Sequence, residues 1–304
     1  MPFLFRRQTI RLGILVVFLL GLPHVASPLL SCQNSKTECP SCKMWNQPQE
    51  PFKIYGNTYY VGTHGLSSIL ITSPAGHVLI DCALPESVVQ IRDHIHALGF
   101  RIEDVKLILN SHVHFDHAGG IAELQHWSRA RVAASKWSAE VLRNGAVAKD
   151  DPQYGLLPDI ASLKQVERLD AESVLRLGDI AVTAHFTPGH TPGGTSWTWK
   201  SCEGGRCLNL VYADSLTAVS AAEFKFTAHP DALKGFEKSF RFLETTPCDI
   251  LITTHPEVSD LWSRLERRKQ GKKPDPMVDG RACENLAANG REQLRKRIQS
   301  EDSH

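Results

Sequence analysis

Residues 110–120 read NSHVHFDHAGG. This stretch sets His112, His114, Asp116 and His117 in the pattern H-x-H-x-D-H, directly after the apolar run Val105 to Leu109 and before a glycine pair. An apolar run of that length bounded by turn residues predicts a buried strand. The four side chains then fall on the loop at its C-terminal end, where open α/β sheets place their sites. His112 and His114 point the same way if the backbone stays extended, whereas Asp116 and His117 cannot join them at one tetrahedral ion without distortion. The spacing therefore predicts two metal centres side by side, and neutral imidazole with carboxylate suits zinc.

Each ion needs one further ligand from elsewhere in the chain. His190 lies in TPGHTPGG, a Gly/Pro-rich turn after the strand-like run Ile180 to Phe186, and His255 lies in TTHP after the apolar run Ile250 to Ile252. Both repeat the context of the first motif, a strand followed by a loop. The other histidines, His77, His94, His96, His126, His185 and His229, lack ligand spacing and read as structural, and His64 reads as a surface-loop residue.

Around these motifs the chain alternates short strands and helices. Phe52 to Val61, Ser68 to Thr72 and His77 to Asp81 read as an antiparallel meander. Helices are expected at Glu86 to Leu98, Ile121 to Trp127, Lys136 to Arg143, Asp231 to Leu243, Val258 to Lys269 and Glu284 to Ile298. Further strands are expected at Arg131 to Ala134, Thr195 to Trp199, Leu208 to Tyr212 and Asp249 to Thr253, with a polar loop from Lys149 to Pro158. Trp197 and Trp199 read as one core and one surface aromatic. Strands followed by helices in each half predict an α/β protein of two sheets packed face to face with helices outside.

The N-terminus has a different character. Residues 1–31 hold Arg6, Arg7 and Arg11, no acidic residue, and an apolar run from Leu12 to Leu22, the layout of a secretory signal and too short for a transmembrane helix. Leu29-Leu30-Ser31-Cys32 is similar to a bacterial lipobox, though Leu30 is not the usual small residue, so a soluble exported, periplasmic protein is expected, with a lipid anchor at Cys32 as the alternative. The resulting organisation is a signal peptide over 1–31, an extended polar arm over 32–51 and a single domain over 52–304.

Export makes disulfides the expected fate of the eight cysteines. Cys202 and Cys207 flank a short hairpin-like loop that they could staple, and Cys248 and Cys283 flank the segment that carries His255. Cys39-Pro-Ser-Cys42 has C-x-x-C spacing but neither a second pair nor a thioredoxin-like βαβ unit, and the pairing of Cys32, Cys39, Cys42 and Cys82 stays open. The formal charge of +1, which becomes −2 without the three arginines of the signal, leaves no electrostatic footprint for nucleic acid. A small-molecule substrate and a monomer are expected.

The set SHVHFDHAGG, PGHTPGG and TTHP resembles the metallo-β-lactamase superfamily, and its ligand pattern is similar to the third subclass of metallo-β-lactamases. The resemblance runs from about Phe52 to about Ile298. It implies an αββα sandwich with a zinc site at one edge between two mixed sheets, and two Zn2+ per chain. The implied ligands are His112, His114 and His190 for one ion and Asp116, His117 and His255 for the other, with Asp116 also orienting the nucleophilic water. The segment Tyr212 to Thr217 offers no thiol, as in the third subclass, and Cys248 and Cys283 fall where that subclass has a disulfide. Gln153, Ser215 and Thr217 match positions that contact substrate or water in that subclass. The implied activity is hydrolysis of the β-lactam amide by a metal-bound hydroxide, conferring resistance to penicillins, cephalosporins and carbapenems. The alternative within the superfamily is a thioesterase of the glyoxalase type or a lactonase. Those relatives use an aspartate that bridges both metals, and Asp214 is the residue placed to do so here.

Overall fold

In a computed structural model of the chain, the described residues are Pro2 and 39–301. The secretory-signal segment and Cys32 lie outside the described residues, apart from Pro2. Twelve strands and eight α-helices follow one another among the described residues. The strands are β1 (Phe52–Tyr55), β2 (Thr58–Tyr60), β3 (Ile69–Ser73), β4 (Gly76–Ile80), β5 (Val105–Leu109), β6 (Arg131–Ser135), β7 (Glu167–Leu169), β8 (Val174–Leu177), β9 (Ile180–Phe186), β10 (Thr195–Glu203), β11 (Arg206–Ala213) and β12 (Ile250–Thr253). The helices are α1 (Cys42–Trp45), α2 (Val88–Ala97), α3 (Phe115–Ala118), α4 (Ile121–Ser128), α5 (Lys136–Asn144), α6 (Pro230–Thr245), α7 (Leu261–Lys269) and α8 (Ala282–Glu301).

Strands β1 to β7 form one mixed sheet in sequence order, and β12-β11-β10-β9-β8 form a second. The period-2 alternation of the strands decides how they stack. Ile69 and Ile71 of β3, Val78 and Ile80 of β4, and Leu107 and Leu109 of β5 meet Leu208, Leu210 and Tyr212 of β11 in a core between the sheets. The intervening Leu70, Leu79 and Ile108 point outward, into a second core with Ile91 and Ile95 of α2 and Leu124 of α4. Val211 and Ala213 of β11 likewise face Phe236 and Phe240 of α6 and Leu286 of α8. Both faces of each sheet are thus buried, and the layers run helix, sheet, sheet, helix, the αββα sandwich that the motifs implied.

Several local expectations need correction. The run Phe52 to Val61 is a hairpin, β1 and β2, broken at Gly56 and Asn57. The short edge strands β7 and β8 were not foreseen, because Glu-Arg-Leu and Val-Leu-Arg-Leu carry too little apolar alternation to read as strands. Trp197 and Trp199 are both buried in the core between the sheets, since residues two apart on a strand share a face. The arm is not extended throughout: Cys42–Trp45 forms α1, closed by a Cys39–Cys42 disulfide. Cys202–Cys207 closes the β10–β11 hairpin, Cys248–Cys283 ties the start of β12 to α8, and Cys82 is free and buried. No described helix is long and apolar enough to cross a membrane.

The topology brings four chain segments to one end of the sandwich. The ends of the parallel strands β5 and β12, the end of β11 and the β9–β10 connection all emerge there. Cross-links between segments fix their relative heights. Thr195 N–H donates to Ser111 O at 2.8 Å, and Ser67 N–H to Thr254 O at 2.9 Å.

Candidate metal centre

The motif after β5 is organised by a buried carboxylate. Asp81, fully buried just beyond β4, accepts from Ser111 N (2.7 Å), Ser111 Oγ (2.6 Å), Asn110 Nδ2 (3.2 Å) and Tyr212 Oη (2.8 Å). Burial pushes its pKa up, and its partners offset part of that rise by favouring the charged form. Asn110 Nδ2 also donates to His112 O at 2.7 Å, so the chain leaves β5 along one path. The backbone then turns into α3, which puts Asp116 and His117 on a helical turn, a feature that an extended reading of the loop did not foresee. Gly120 closes the motif because any Cβ there would collide with the Cys82 carbonyl.

Five imidazoles and one carboxylate converge, from β5's loop, the β9–β10 connection and the end of β12. His112, His114 and His190 form one group able to hold a metal, and His112, Asp116 and His117 another. The His112 ring centroid lies 4.7 Å from that of His114, 4.9 Å from that of His190 and 4.3 Å from that of His117. His255 completes the second cluster: Asp116 Oδ2 is 3.1 Å from His117 Nε2 and 3.3 Å from His255 Nε2, and the two nitrogens are 3.2 Å apart. Donors on a tetrahedron with bonds of about 2.0 Å sit about 3.3 Å from one another, so this spacing matches a zinc ion's ligand shell.

The outward nitrogens fix which atom faces the centre. His112 Nδ1 pairs with Asp214 Oδ1 at 2.7 Å, leaving a buried Nε2 with no hydrogen-bond partner. His114 Nε2 pairs with Asp151 Oδ2 at 3.1 Å, His190 Nδ1 donates to Thr217 O at 2.8 Å, and His255 Nδ1 to Gly65 O at 3.2 Å. Acceptors behind metal-facing histidines select the tautomer and raise basicity. Burial, reinforced by the neighbouring imidazoles, holds His112 well below its ordinary pKa, and burial with His114 lowers His190 to about 3. Both therefore offer free lone pairs at neutral pH. Burial would raise the Asp116 carboxyl, but His117 and His255 outweigh it and hold it far below the usual range, charged and ready to bind a cation.

All six ligands anticipated from the motifs are brought together. Gln153 Nε2 stands 3.5 Å from both His114 Nδ1 and His190 Nε2, beside the first group. Ser215 Oγ is paired with Thr254 Oγ1 at 2.8 Å, and Thr217 turns its carbonyl and hydroxyl to His190 Nδ1. Asp81 and Asp151 were missed, since a lone aspartate after a strand or in a polar loop carries no signal until the fold supplies its partner. Asp214 does not bridge. It sits behind His112, on the side away from the donors. Burial pushes its pKa well up, and a cation at His112 Nε2 would favour its charged form. Asp214→Ala should weaken zinc binding about 10- to 100-fold, as loss of a partner behind a ligand does. Competition with a chromophoric chelator measures this, and unchanged affinity would refute the assignment.

Comparison with known proteins agrees with this geometry. The metallo-beta-lactamase superfamily profile matches residues 61–255. Among solved structures, the Rm3 metallo-beta-lactamase is 54% identical with a TM-score of 0.85, covering 87% of this chain and 99% of that one. MEM-A1, a subclass B3 metallo-beta-lactamase from a soil metagenome library, is 48% identical with a TM-score of 0.83, covering 85% and 99%. The N-acyl homoserine lactonase AttM of Agrobacterium fabrum is 31% identical over 157 residues, 42% of this chain. The match spans 57% of AttM, so the chain covers only a little over half the length of that curated relative. With the profile spanning most of the chain and the donor groups at one end of an αββα sandwich, the chain belongs to the metallo-beta-lactamase superfamily.

Proposed function

We propose that this chain is a zinc-dependent β-lactamase that binds two zinc ions, one at His112, His114 and His190 and one at Asp116, His117 and His255. The observation that carries the reading over a lactonase is the placement of Asp214, whose Oδ1 lies 2.7 Å from the outward nitrogen of His112 and so is not available to bridge two ions. Its 54% identity to Rm3 over nearly all of that chain, against 31% to AttM over part, supports the same choice.

Bound zinc would supply a hydroxide nucleophile at neutral pH and a Lewis acid for the carbonyl. The protein's part is to hold the donors. Asp214, Asp151, Thr217 and Gly65 lock four imidazoles so that their lone pairs converge, and the burial of His112, His114 and His117 keeps bulk water from competing. Asp116, charged at neutral pH, orients a proton of the attacking water as well as ligating. Gln153, beside His114 and His190, is placed to contact the substrate, and Ser215 and Thr217 support that wall through Thr254 and His190. We place the site in a domain over 52–304, after a secretory signal over 1–31 and the arm over 32–51, with function in the periplasm as a monomer.

The test is a substrate panel. The zinc-loaded protein should hydrolyse a penicillin, a cephalosporin or a carbapenem such as imipenem in preference to an N-acyl homoserine lactone. Turnover of the lactone alone would reverse the proposal.

A further inference from the structure

His255 is the ligand with the weakest hold from its own surroundings. Its side chain is 26% exposed, against 10% for Asp116 and 1% for His117. It also follows the end of β12 on a loop rather than sitting on a helical turn like the other two. What orients its ring comes from the far end of the chain. Gly65 O accepts from His255 Nδ1 at 3.2 Å, and the Trp45 ring leans on the His255 ring at 5.3 Å between centroids.

Trp45 also sets the position of that carbonyl. Trp45 O accepts from Gly65 N at 3.0 Å and from Thr63 Oγ1 at 2.6 Å. The approach is close enough that a Cβ on Gly65 would lie 2.5 Å from Trp45 Cα. On the opposite side the same loop is held by Trp262, which stacks on His64 at 4.8 Å and donates to His64 O at 3.1 Å. The loop is thus gripped between two tryptophans, and only Trp45 touches His255.

The segment carrying Trp45 is itself secured in an unusual way. Helix α1 is four residues long and buries none of them, too short to persist on backbone hydrogen bonds alone. The Cys39–Cys42 disulfide closes its first turn, while Asn46 and Gln47 anchor its end through Ser87 Oγ (2.7 Å) and His64 N (2.9 Å). The same stapled turn bounds a small cavity of about 120 Å³ whose other walls include Phe115, Leu156 and the ligand Asp116.

We infer that Trp45, seated by the Cys39–Cys42 staple, is a positioning residue for His255 and thereby sets the affinity of the second zinc site. The inference rests on the two-ion reading above. The N-terminal arm then completes the metal centre without donating a ligand to it.

Metal binding tests this independently of turnover. Apo protein is titrated with zinc against a chromophoric chelator, and with Co2+ while the visible d–d bands are followed. In Trp45→Ala the second equivalent should bind at least about tenfold more weakly while the first changes less than about twofold, the range expected when a partner behind a ligand is disturbed. Gly65→Ala, which crowds the same contact from the other side, should act in the same direction. Trp45→Phe should recover most of the loss, and Cys39→Ser/Cys42→Ser should show a smaller loss because Asn46 and Gln47 still tether the segment. A wild-type chain taking up fewer than two ions would overturn the two-ion reading and this inference with it. Two tight ions in wild type and in Trp45→Ala alike, or equal loss of both, would overturn this inference alone.

Discussion

Treatment with a chelator should lower β-lactam hydrolysis by at least about 10³-fold, and stoichiometric zinc should restore it. Water ionises near pH 7 on zinc but only near 15.7 in bulk, so the stripped chain must generate its nucleophile with side chains alone. None of those at the centre is suited to that task. Asp116 is held far below the usual carboxylate range by His117 and His255 and is a poor base. Ser215 Oγ is tied to Thr254 Oγ1, with no imidazole or lysine in its hydrogen-bond contacts to activate it. Inhibitors that acylate a serine should for the same reason leave the zinc-loaded activity unchanged. Retention of more than about a tenth of the activity after complete metal removal, checked by elemental analysis, would contradict the assigned chemistry.

Replacing Asp81 should cost the metal-free protein about 3–5 kcal/mol, the usual penalty for removing one partner of a buried charged network. The carboxylate accepts from Ser111 twice, from Asn110 and from Tyr212, and Asp81→Ala strands all four donors in a fully buried place. Asp81 also has φ 57°, a left-handed conformation that asparagine and aspartate tolerate better than alanine. Asp81→Asn separates the two contributions, because it keeps the backbone preference and the shape while losing acceptor capacity; it should cost about 1–3 kcal/mol. Urea unfolding of chelated protein measures both, and at a few degrees per kcal/mol the alanine variant should melt about 10 °C lower. An alanine variant as stable as wild type would show that Asp81 does not organise the motif. Because Asn110 and Ser111 lead directly into His112, zinc affinity should fall alongside stability.

What could be read from the sequence follows from where the information lies. A metal site built on H-x-H-x-D-H is legible because four donors fall within six residues, and the later ligands His190 and His255 each follow a strand-like run. Local spacing with chemical identity is enough to predict such a cluster. The outer partners were not legible in the same way. Asp81, Asp151 and the Gly65 carbonyl gain their roles only when other segments bring His or Ser to them, across separations of 30, 37 and 190 residues. Asp214 could be named as a candidate bridge from its place after β11, but its actual partner, His112 Nδ1, depends on how the two sheets stack.

The strands and helices were set largely by local pattern: alternating apolar residues on β3, β4 and β11, and helical spacing on α2, α6 and α8, fixed the layers and therefore the end of the sandwich at which the donors emerge. Tertiary packing decided the rest. It folded the motif's second half into α3, turned Trp197 and Trp199 to the same buried face, and docked the arm so that Trp45 meets His255. The physical reason is that periodicity and ligand spacing are properties of neighbouring residues, whereas the partner of a buried carboxylate, a carbonyl or an aromatic ring is selected by three-dimensional proximity that no single stretch of the chain encodes.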